Sequence, residues 1–319
     1  MGEHTLRAGE TVSANAIFQQ PWWLEALAPG RWDEATVERA GGLAARLPYV
    51  ERGWPRMRVL TMPPLTQTLG PWLEHADASP PRAVGHEHDL LAELEAALPP
   101  AVAFVQQFSP TVLNALPFHW AGYRMEIRYT YRLGLSAEPE LWEGLRSNIR
   151  REIRKARRQV EIREGLGLDR FYDVWAMTFA RQRLPPPVSL ADLERLDRAC
   201  AAHDARAMLF ACDEAGRVHA VTYVVWDRNG AFNLLGGADP SLRSSGASSL
   251  LMWESIVRAR AVTDVFDFEG SMIESVERFF RAFGGRQTPY LKVTRGSPAA
   301  QRVLGVRGRL RRQAARRRA

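Results

Sequence analysis

The sequence predicts a mixed α+β (α/β) protein of two tandem domains, each a twisted mixed sheet flanked by helices. Three observations predict it. From residue 231 to 293 the chain reads strand, small-residue loop, helix, strand, helix, strand. Phe104, Ser109, Phe118 and Gly122 recur as Phe266, Ser271, Phe280 and Gly284, each at an offset of 162 residues, and both copies read strand, Ser-initiated helix, aromatic helix end, Gly, strand. Finally, 319 residues at 46% hydrophobic content suffice for two ordinary cores of about 150 residues each.

The first domain, expected over residues 1–135, runs from Ile17 through strands near 36–39 and 43–50. Pro-rich connectors follow at 62–71 and at Ser79-Pro80-Pro81, then a helix near 89–98 and the first repeat copy, ending near Leu133. Gln67-Thr68-Leu69-Gly70 mimics a phosphate loop but runs into Pro71 and Trp72, so it reads as structural. This half is therefore expected to be the degenerate copy, supplying walls of an acceptor cleft.

The second domain, expected over 136–296, begins with one long helix whose stripe is Leu141, Leu145, Ile149, Ile153, Ala156 and Val160. Its other faces carry Arg146, Arg150, Arg151, Arg154, Lys155, Arg157 and Arg158 against a single acid, Glu152. Pro185-Pro186-Pro187 separates a helix ending near Gln182 from one starting near Leu190, and strands at 206–212 and 217–226 flank the turn Asp213-Glu214-Ala215-Gly216. The strand 231–238 then enters a loop over Asp239 to Gly246, and Ala247 opens an amphipathic helix to about Arg260. Beyond it, alternation sets Phe266 and Phe268 on one strand face and Asp267 and Glu269 on the other. Ser271 or Ser275 caps a helix to Phe283, Gly284 stops it, and residues 288–294 form a closing strand.

A small-residue loop at a helix start presents free backbone N–H groups where the helix dipole favours negative charge. A pyrophosphate or nucleotide phosphate fits there, on Arg243, Ser244, Ser245, Gly246 and Ala247, with Leu235 and Gly236 along the preceding strand. The run Arg243-Ser244-Ser245-Gly246-Ala247-Ser248 resembles the donor loop of the GNAT superfamily of N-acyltransferases, Gln/Arg-x-x-Gly-x-Gly/Ala, with Ser248 at the last position. Phe266-Asp267-Phe268-Glu269-Gly270 and Phe279-Phe280-Arg281-Ala282-Phe283-Gly284 resemble the Fem family of aminoacyl ligases, Tyr-Asp-Phe-x-Gly and Phe-Lys-Lys-x-Phe-Gly. Phe280 stands where that family has its first lysine, and only Arg281 is basic. The resemblance spans residues 17–294 and implies tandem GNAT-like domains using aminoacyl-tRNA or acyl-CoA as donor. With the former, Arg150, Arg151, Arg154, Lys155 and Arg158 are the expected RNA or phosphate contacts.

The chemistry this reading implies is direct transfer of an acyl group to an amine, with backbone N–H groups holding the oxyanion and no covalent enzyme intermediate. Glu269 or Asp267 takes the ammonium proton, and Tyr290 or Tyr223 returns one to the leaving group. Alternatively, Asp267 is an ion-pair partner of Arg281 or Arg286. Two other functions are consistent with the sequence: an acetyl-CoA-dependent N-acetyltransferase of a small molecule or peptide, and a non-catalytic RNA- or membrane-surface-binding protein on the same scaffold. The acceptor amine is not legible.

Charge is localised. The chain carries a net +7, yet residues 302–319 hold eight arginines and no acid, leaving 35 basic against 36 acidic residues in 1–301. The basic tail, 297–319, is expected to be disordered and is a candidate contact for RNA or an anionic membrane surface. Only two residues, Lys155 and Lys292, are lysines. No apolar run reaches the ~20 residues of a membrane span and the N-terminus lacks a signal-peptide core, so a cytoplasmic protein is expected. Cys200 and Cys212 show no ligand spacing, no metal site is expected, and His86-Glu87-His88 reads as a solvated polar loop. Phosphate-loop NTPase, dinucleotide and serine-hydrolase motifs are absent.

Overall fold

The computed structural model describes residues 12–53, 57–180, 184–270 and 272–296. The chain divides into two compact units, one formed by residues up to Arg128 together with those from Pro289, the other by Tyr129–Thr288.

The first unit opens with α1 (Pro21–Leu27), β1 (Trp32–Arg39), β2 (Gly42–Arg52), β3 (Val59–Thr61) and β4 (Trp72–Leu73). The helix α2 (Pro80–Ala97) follows, then β5 (Ala103–Gln107), α3 (Leu116–Trp120) and the start of β6 (Arg124–Gly134). Helix α2 begins nine residues earlier than the pattern at 89–98 suggests, because Pro80 and Pro81 sit in its first turn, where the missing N–H has no intrahelical partner to lose. His86, Glu87 and His88 consequently lie on a helix and not in a loop; His88 Nε2 is 3.0 Å from Asn114 Oδ1 and His86 3.3 Å from Glu74. Strands β1, β2 and β3 pair antiparallel, β3 and β5 parallel, and β5 antiparallel to the end of β12 (Arg286–Gly296). Residues 67–70 are structural, as expected: the Gly70 N–H donates to Gln106 Oε1 at 3.0 Å, and Gln19 Nε2 donates to the Leu69 and Gly70 carbonyls. Phe104, Phe108, Phe118 and Tyr123 form the aromatic centre of this core.

In the second unit the expected long basic helix is two helices, α4 (Glu138–Gly144) and α5 (Ser147–Ala156). Leu145 and Arg146 break it with extended backbone, ψ 142° and 147°. The apolar stripe survives the break: Leu141, Leu145, Ile149, Ile153, Ala156 and Val160 are all buried in one core. The break is held by the Arg146 N–H donating to the Ala282 carbonyl at 3.0 Å, a tertiary contact that helical periodicity does not report. Next come β7 (Glu161–Arg163), α6 (Leu168–Ala180), α7 (Leu190–Ala202), β8 (Arg206–Cys212), β9 (Val218–Asp227) and β10 (Gly230–Ala238). Ser189 and Asp192 form a capping box at the start of α7. The unit closes with α8 (Ala247–Ala259), β11 (Val265–Asp267) and α9 (Glu274–Arg281). Its sheet order is β6-β11-β10-β9-β8-β7, with β10 and β11 parallel and the other pairs described here antiparallel.

The internal repeat is matched in part by backbone geometry; Ser109 lies in the loop ahead of α3 and does not open that helix, whose cap position is Ala115. Gly122 and Gly284 both take the left-handed conformation, at φ 85° and 84°, between a helix and the next strand. Phe104 and Phe266 are both fully buried. Ser271, which matches Ser109 in the repeat, lies outside the described residues, as does the basic tail. Ser275 lies inside α9 and does not cap it; the residue at the cap is Ile273, with no side-chain cap bond.

Candidate active site

Strands β10 and β11 pair over only two positions, Ala231 with Phe266 and Phe232 with Asp267. Beyond Phe232, β10 continues to Ala238, whereas β11 ends at Asp267. A parallel pair that stops this early leaves backbone N–H and C=O groups of β10 without a partner on the β11 side, at the carboxyl end of the strands, where open α/β sheets bind ligands. Leu235 and Gly236 lie on this free stretch, Leu235 buried and Gly236 exposed.

The expected alternation fails at its last position. Phe266 and Phe268 enter the core, and the Phe268 N–H donates to the Tyr131 carbonyl at 3.0 Å, but Glu269 turns off the strand at φ 58°. Gly270 follows at φ 52°, so close to β6 that a Cβ there would stand 2.4 Å from the Tyr129 carbonyl oxygen and 2.5 Å from Thr130 Cα. A residue with a side chain held in left-handed geometry beside an obligatory glycine is a local strain of the kind found at functional sites.

The two carboxylates have different surroundings. Asp267 is buried and accepts hydrogen bonds from Thr130 Oγ1 at 2.5 Å and from the Glu269 N–H at 2.8 Å, with Arg132 Nε 3.7 Å from its second oxygen. Its ion-pair partner is therefore Arg132; Arg281 is engaged with Glu277 at 3.0 Å. Glu269 is half-buried, but its Oε1 is enclosed with no hydrogen-bond partner among the described residues. Burial, reinforced by the Asp267 charge, raises its proton affinity well above that of an ordinary carboxylate. A carboxylate so placed is a stronger base than an ordinary one.

Past the same, C-terminal end of β10, Arg243–Ser245 form a short 3₁₀ turn and Gly246, at φ 81°, precedes Ala247. Ser245, Gly246 and Ala247 are buried, and Arg243, Ser244 and Ser248 are exposed. Helix α5 covers this loop. Lys155 Nζ donates to the Ser244 carbonyl at 2.5 Å, and a Cβ on Gly246 would lie 2.8 Å from the Glu152 carboxylate. Of the other α5 cations, Arg150 pairs with Glu143 at 2.6 Å, while Arg154 lies over the Trp142 ring at 5.5 Å. Arg151, Arg154 and Arg158 have no acidic partner among the described residues and are exposed.

Of the two tyrosines expected at the leaving group, Tyr223 is committed to another contact. Tyr223 donates to Asp197 at 2.7 Å on the α7 side, fully buried, and burial pushes its hydroxyl far above the ordinary range. Tyr290 is a buried residue of β12 in the first unit, whereas Asp267, Glu269 and the 243–247 loop belong to the second. The signal that separates Glu269 from Asp267, a left-handed backbone and an enclosed oxygen, is tertiary. Thr130 and Arg132, 137 and 135 positions from Asp267, carry no motif that announces them. Among the described residues no cluster of His, Cys, Asp or Glu is placed to hold a metal ion, and no helix is long and apolar enough to cross a membrane.

Residues 144–281 match the acetyltransferase (GNAT) domain family. No curated protein matches the chain. Among solved structures, FemX is similar with a TM-score of 0.65 at 12% identity, covering 86% of this chain and 91% of its own. A tandem GNAT protein from the clavulanic acid biosynthesis pathway has a TM-score of 0.50 at 10% identity, covering 84% of each chain. A protein of unknown function from Bacteroides thetaiotaomicron has a TM-score of 0.51 at 12% identity, covering 86% of this chain and 88% of its own. Residues 144–281 thus match the GNAT domain, in a chain whose fold is similar to that of FemX.

Proposed function

We propose that the protein is an N-acyltransferase that moves an acyl or aminoacyl group from an activated donor to an amine by direct attack. Glu269 carries this reading, as an unpaired, proton-avid carboxyl oxygen beside the place where β10 and β11 part. The amine nitrogen attacks the donor carbonyl, the ammonium proton passes to the Glu269 carboxylate, the C–S or C–O bond breaks, and that proton is handed on to the departing thiolate or alkoxide. The free N–H groups along β10 supply oxyanion donors. Asp267, with three groups on its oxygens, holds the strand end and does not serve as the base.

Two donors fit, and α5 favours aminoacyl-tRNA. Its unpaired arginines suit a sugar-phosphate backbone, while the Glu152 carboxylate against Gly246 opposes a pyrophosphate at that glycine. The second reading, an acyl-CoA donor, draws support from the left-handed Gly246 at the start of α8. Thermal stability of the full chain with acetyl-CoA, CoA, and aminoacylated or deacylated total tRNA separates them, since a ligand of the folded state stabilises it. The expected result is a rise with tRNA, stronger when aminoacylated. A rise with CoA species that Ser248→Asp removes establishes the second reading. Ser248 is exposed, so the added charge tests the loop without the strain of a substitution at Gly246. No response to either class, with no turnover, overturns the transferase reading.

A further inference from the structure

An open cleft of about 600 Å³ lies between the end of α5 and the β8–β9 turn, away from Glu269. Arg157, Arg158 and Arg217 line it, and His219 lines it more deeply. The His219 side chain is 7% exposed; its Nε2 is 3.1 Å from Asp213 Oδ2, and its Nδ1 is buried with no partner among the described residues. Buried polar atoms are almost always satisfied, so an orphaned ring nitrogen in the wall of a cleft marks hydrogen-bonding capacity that the fold itself does not use. An imidazole nitrogen can bond a phosphate in either tautomer, as donor to P–O⁻ or as acceptor from P–OH, and this enclosed one becomes available when the ring turns toward the cleft that the residue lines.

The acids around the cleft are mostly committed. Asp213 accepts from Arg217 Nε at 2.7 Å and from its backbone N–H at 2.8 Å as well as facing His219, and Glu161 is paired with Arg163 at 3.3 Å. Glu214 stays exposed on the turn. Arg157 leans toward Glu254 at 3.4 Å, and Arg170 is anchored on the Gly216 carbonyl behind the turn. Arg158 has no acidic partner among the described residues. Arg217 is the movable part of the rim, its side chain 64% exposed. The floor is tied to the donor loop, because the Asp239 N–H donates to the His219 carbonyl at 3.0 Å.

We propose that this cleft is a phosphate-binding site, in which Arg158 and His219 hold the phosphate of a phosphoester ligand. The proposal rests on the transferase reading only for what carries that phosphate, a nucleotide thioester or the 3′ region of an aminoacylated polynucleotide. Guanidinium and imidazole together suit a tetrahedral oxyanion, and the neighbouring Arg151 and Arg154 continue the positive surface along α5.

The test is calorimetric titration of the full chain with inorganic pyrophosphate. Binding is expected, weakened at least tenfold by Arg158→Ala and by His219→Gln and unchanged by Ser248→Asp at the donor loop. Arg158 is exposed, so its variant keeps the test decisive if His219→Gln misfolds. Absence of pyrophosphate binding, or binding that Arg158→Ala leaves intact, overturns the proposal. CoA against dephospho-CoA, and deacylated tRNA, then identify the carrier. A preference for CoA that Arg158→Ala erases assigns the phosphate to a nucleotide thioester, and an Arg158-dependent tRNA response assigns it to the polynucleotide. A chain that transfers acyl groups but fails the pyrophosphate test loses the cleft and keeps the reaction. One that passes it without transferring anything keeps the cleft and loses the reaction.

Discussion

Glu269 and Asp267 stand two positions apart, yet folding gives them opposite properties. Asp267 accepts from a threonine hydroxyl and a backbone N–H and faces Arg132, while Glu269 Oε1 is enclosed without a donor among the described residues. Glu269→Gln is expected to lower kcat at least ~100-fold, the scale of a lost general base. Its stability effect has a definite sign. Folding raises this carboxyl's proton affinity, so its contribution is complete below the unfolded value of ~4.3 and is lost as pH rises through the folded one. The Gln variant should therefore melt higher than wild type at pH 8, with the difference vanishing at pH 4, and a pH-independent difference would refute the assignment. For the same reason wild-type activity should fall on acidification through the raised Glu269 value, and that limb should be missing from the residual rate of Glu269→Gln. Thr130→Val leaves a buried carboxylate oxygen short of a donor and should cost ~1–3 kcal/mol in denaturant titration, with no comparable loss from Thr294→Val, whose hydroxyl is exposed.

Single elements show how the site is built. The stretch after β11 needs glycine for two separate reasons, left-handed backbone and contact with β6, and comparison with Gly122 allows those reasons to be measured apart. Gly122 at φ 85° has nothing within 4 Å of a Cβ position, whereas Gly270 at φ 52° would meet the Tyr129 and Thr130 backbone. Gly122→Ala should thus cost only the ~1–2 kcal/mol of left-handed strain, and Gly270→Ala distinctly more, because a backbone contact cannot be relieved by rotating a side chain. Equal costs measured by chemical denaturation would show that packing against β6 is not what holds Gly270. Helix α5, set apart from α4, lies over the 243–247 loop and brings Lys155 and Glu152 to it.

At the scale of the whole molecule, the repeats trade their closing strands. The strand following the first copy's helix, β6, pairs with β11, and the strand following the second copy's helix, β12, pairs with β5. The second unit accordingly begins at Tyr129, and residues 130–132 supply the hydroxyl, the carbonyl and the guanidinium around the Asp267 end of β11. A fragment starting at residue 136 should be insoluble or molten, and one starting at 129 measurably more stable; equal behaviour in thermal melts would show that β6 is dispensable. The basic face of α5 and the 243–247 loop lie within this one unit, so ligand responses can be sought there by substitution in the full chain.

Local patterning determined much of this protein. Apolar spacing set the buried stripe of Leu141 to Val160, turn chemistry set the β8–β9 hairpin, and the small-residue loop before Ala247 announced a helix start, because each depends on residues within one or two turns of chain. The Fem-like resemblance and the repeat were legible for the same reason, as short runs of specific residues. Only the tertiary structure decided that Arg146 leaves the helix to reach Ala282, that α2 starts at Pro80, and that Glu269 departs from strand alternation. It alone set His219 into the wall of a cleft and joined Thr130 and Arg132 to Asp267. Those outcomes depend on hydrogen bonds and enclosure contributed by residues far away in sequence, where the free energy of a burial or an ion pair belongs to the assembled neighbourhood and not to any segment of the chain.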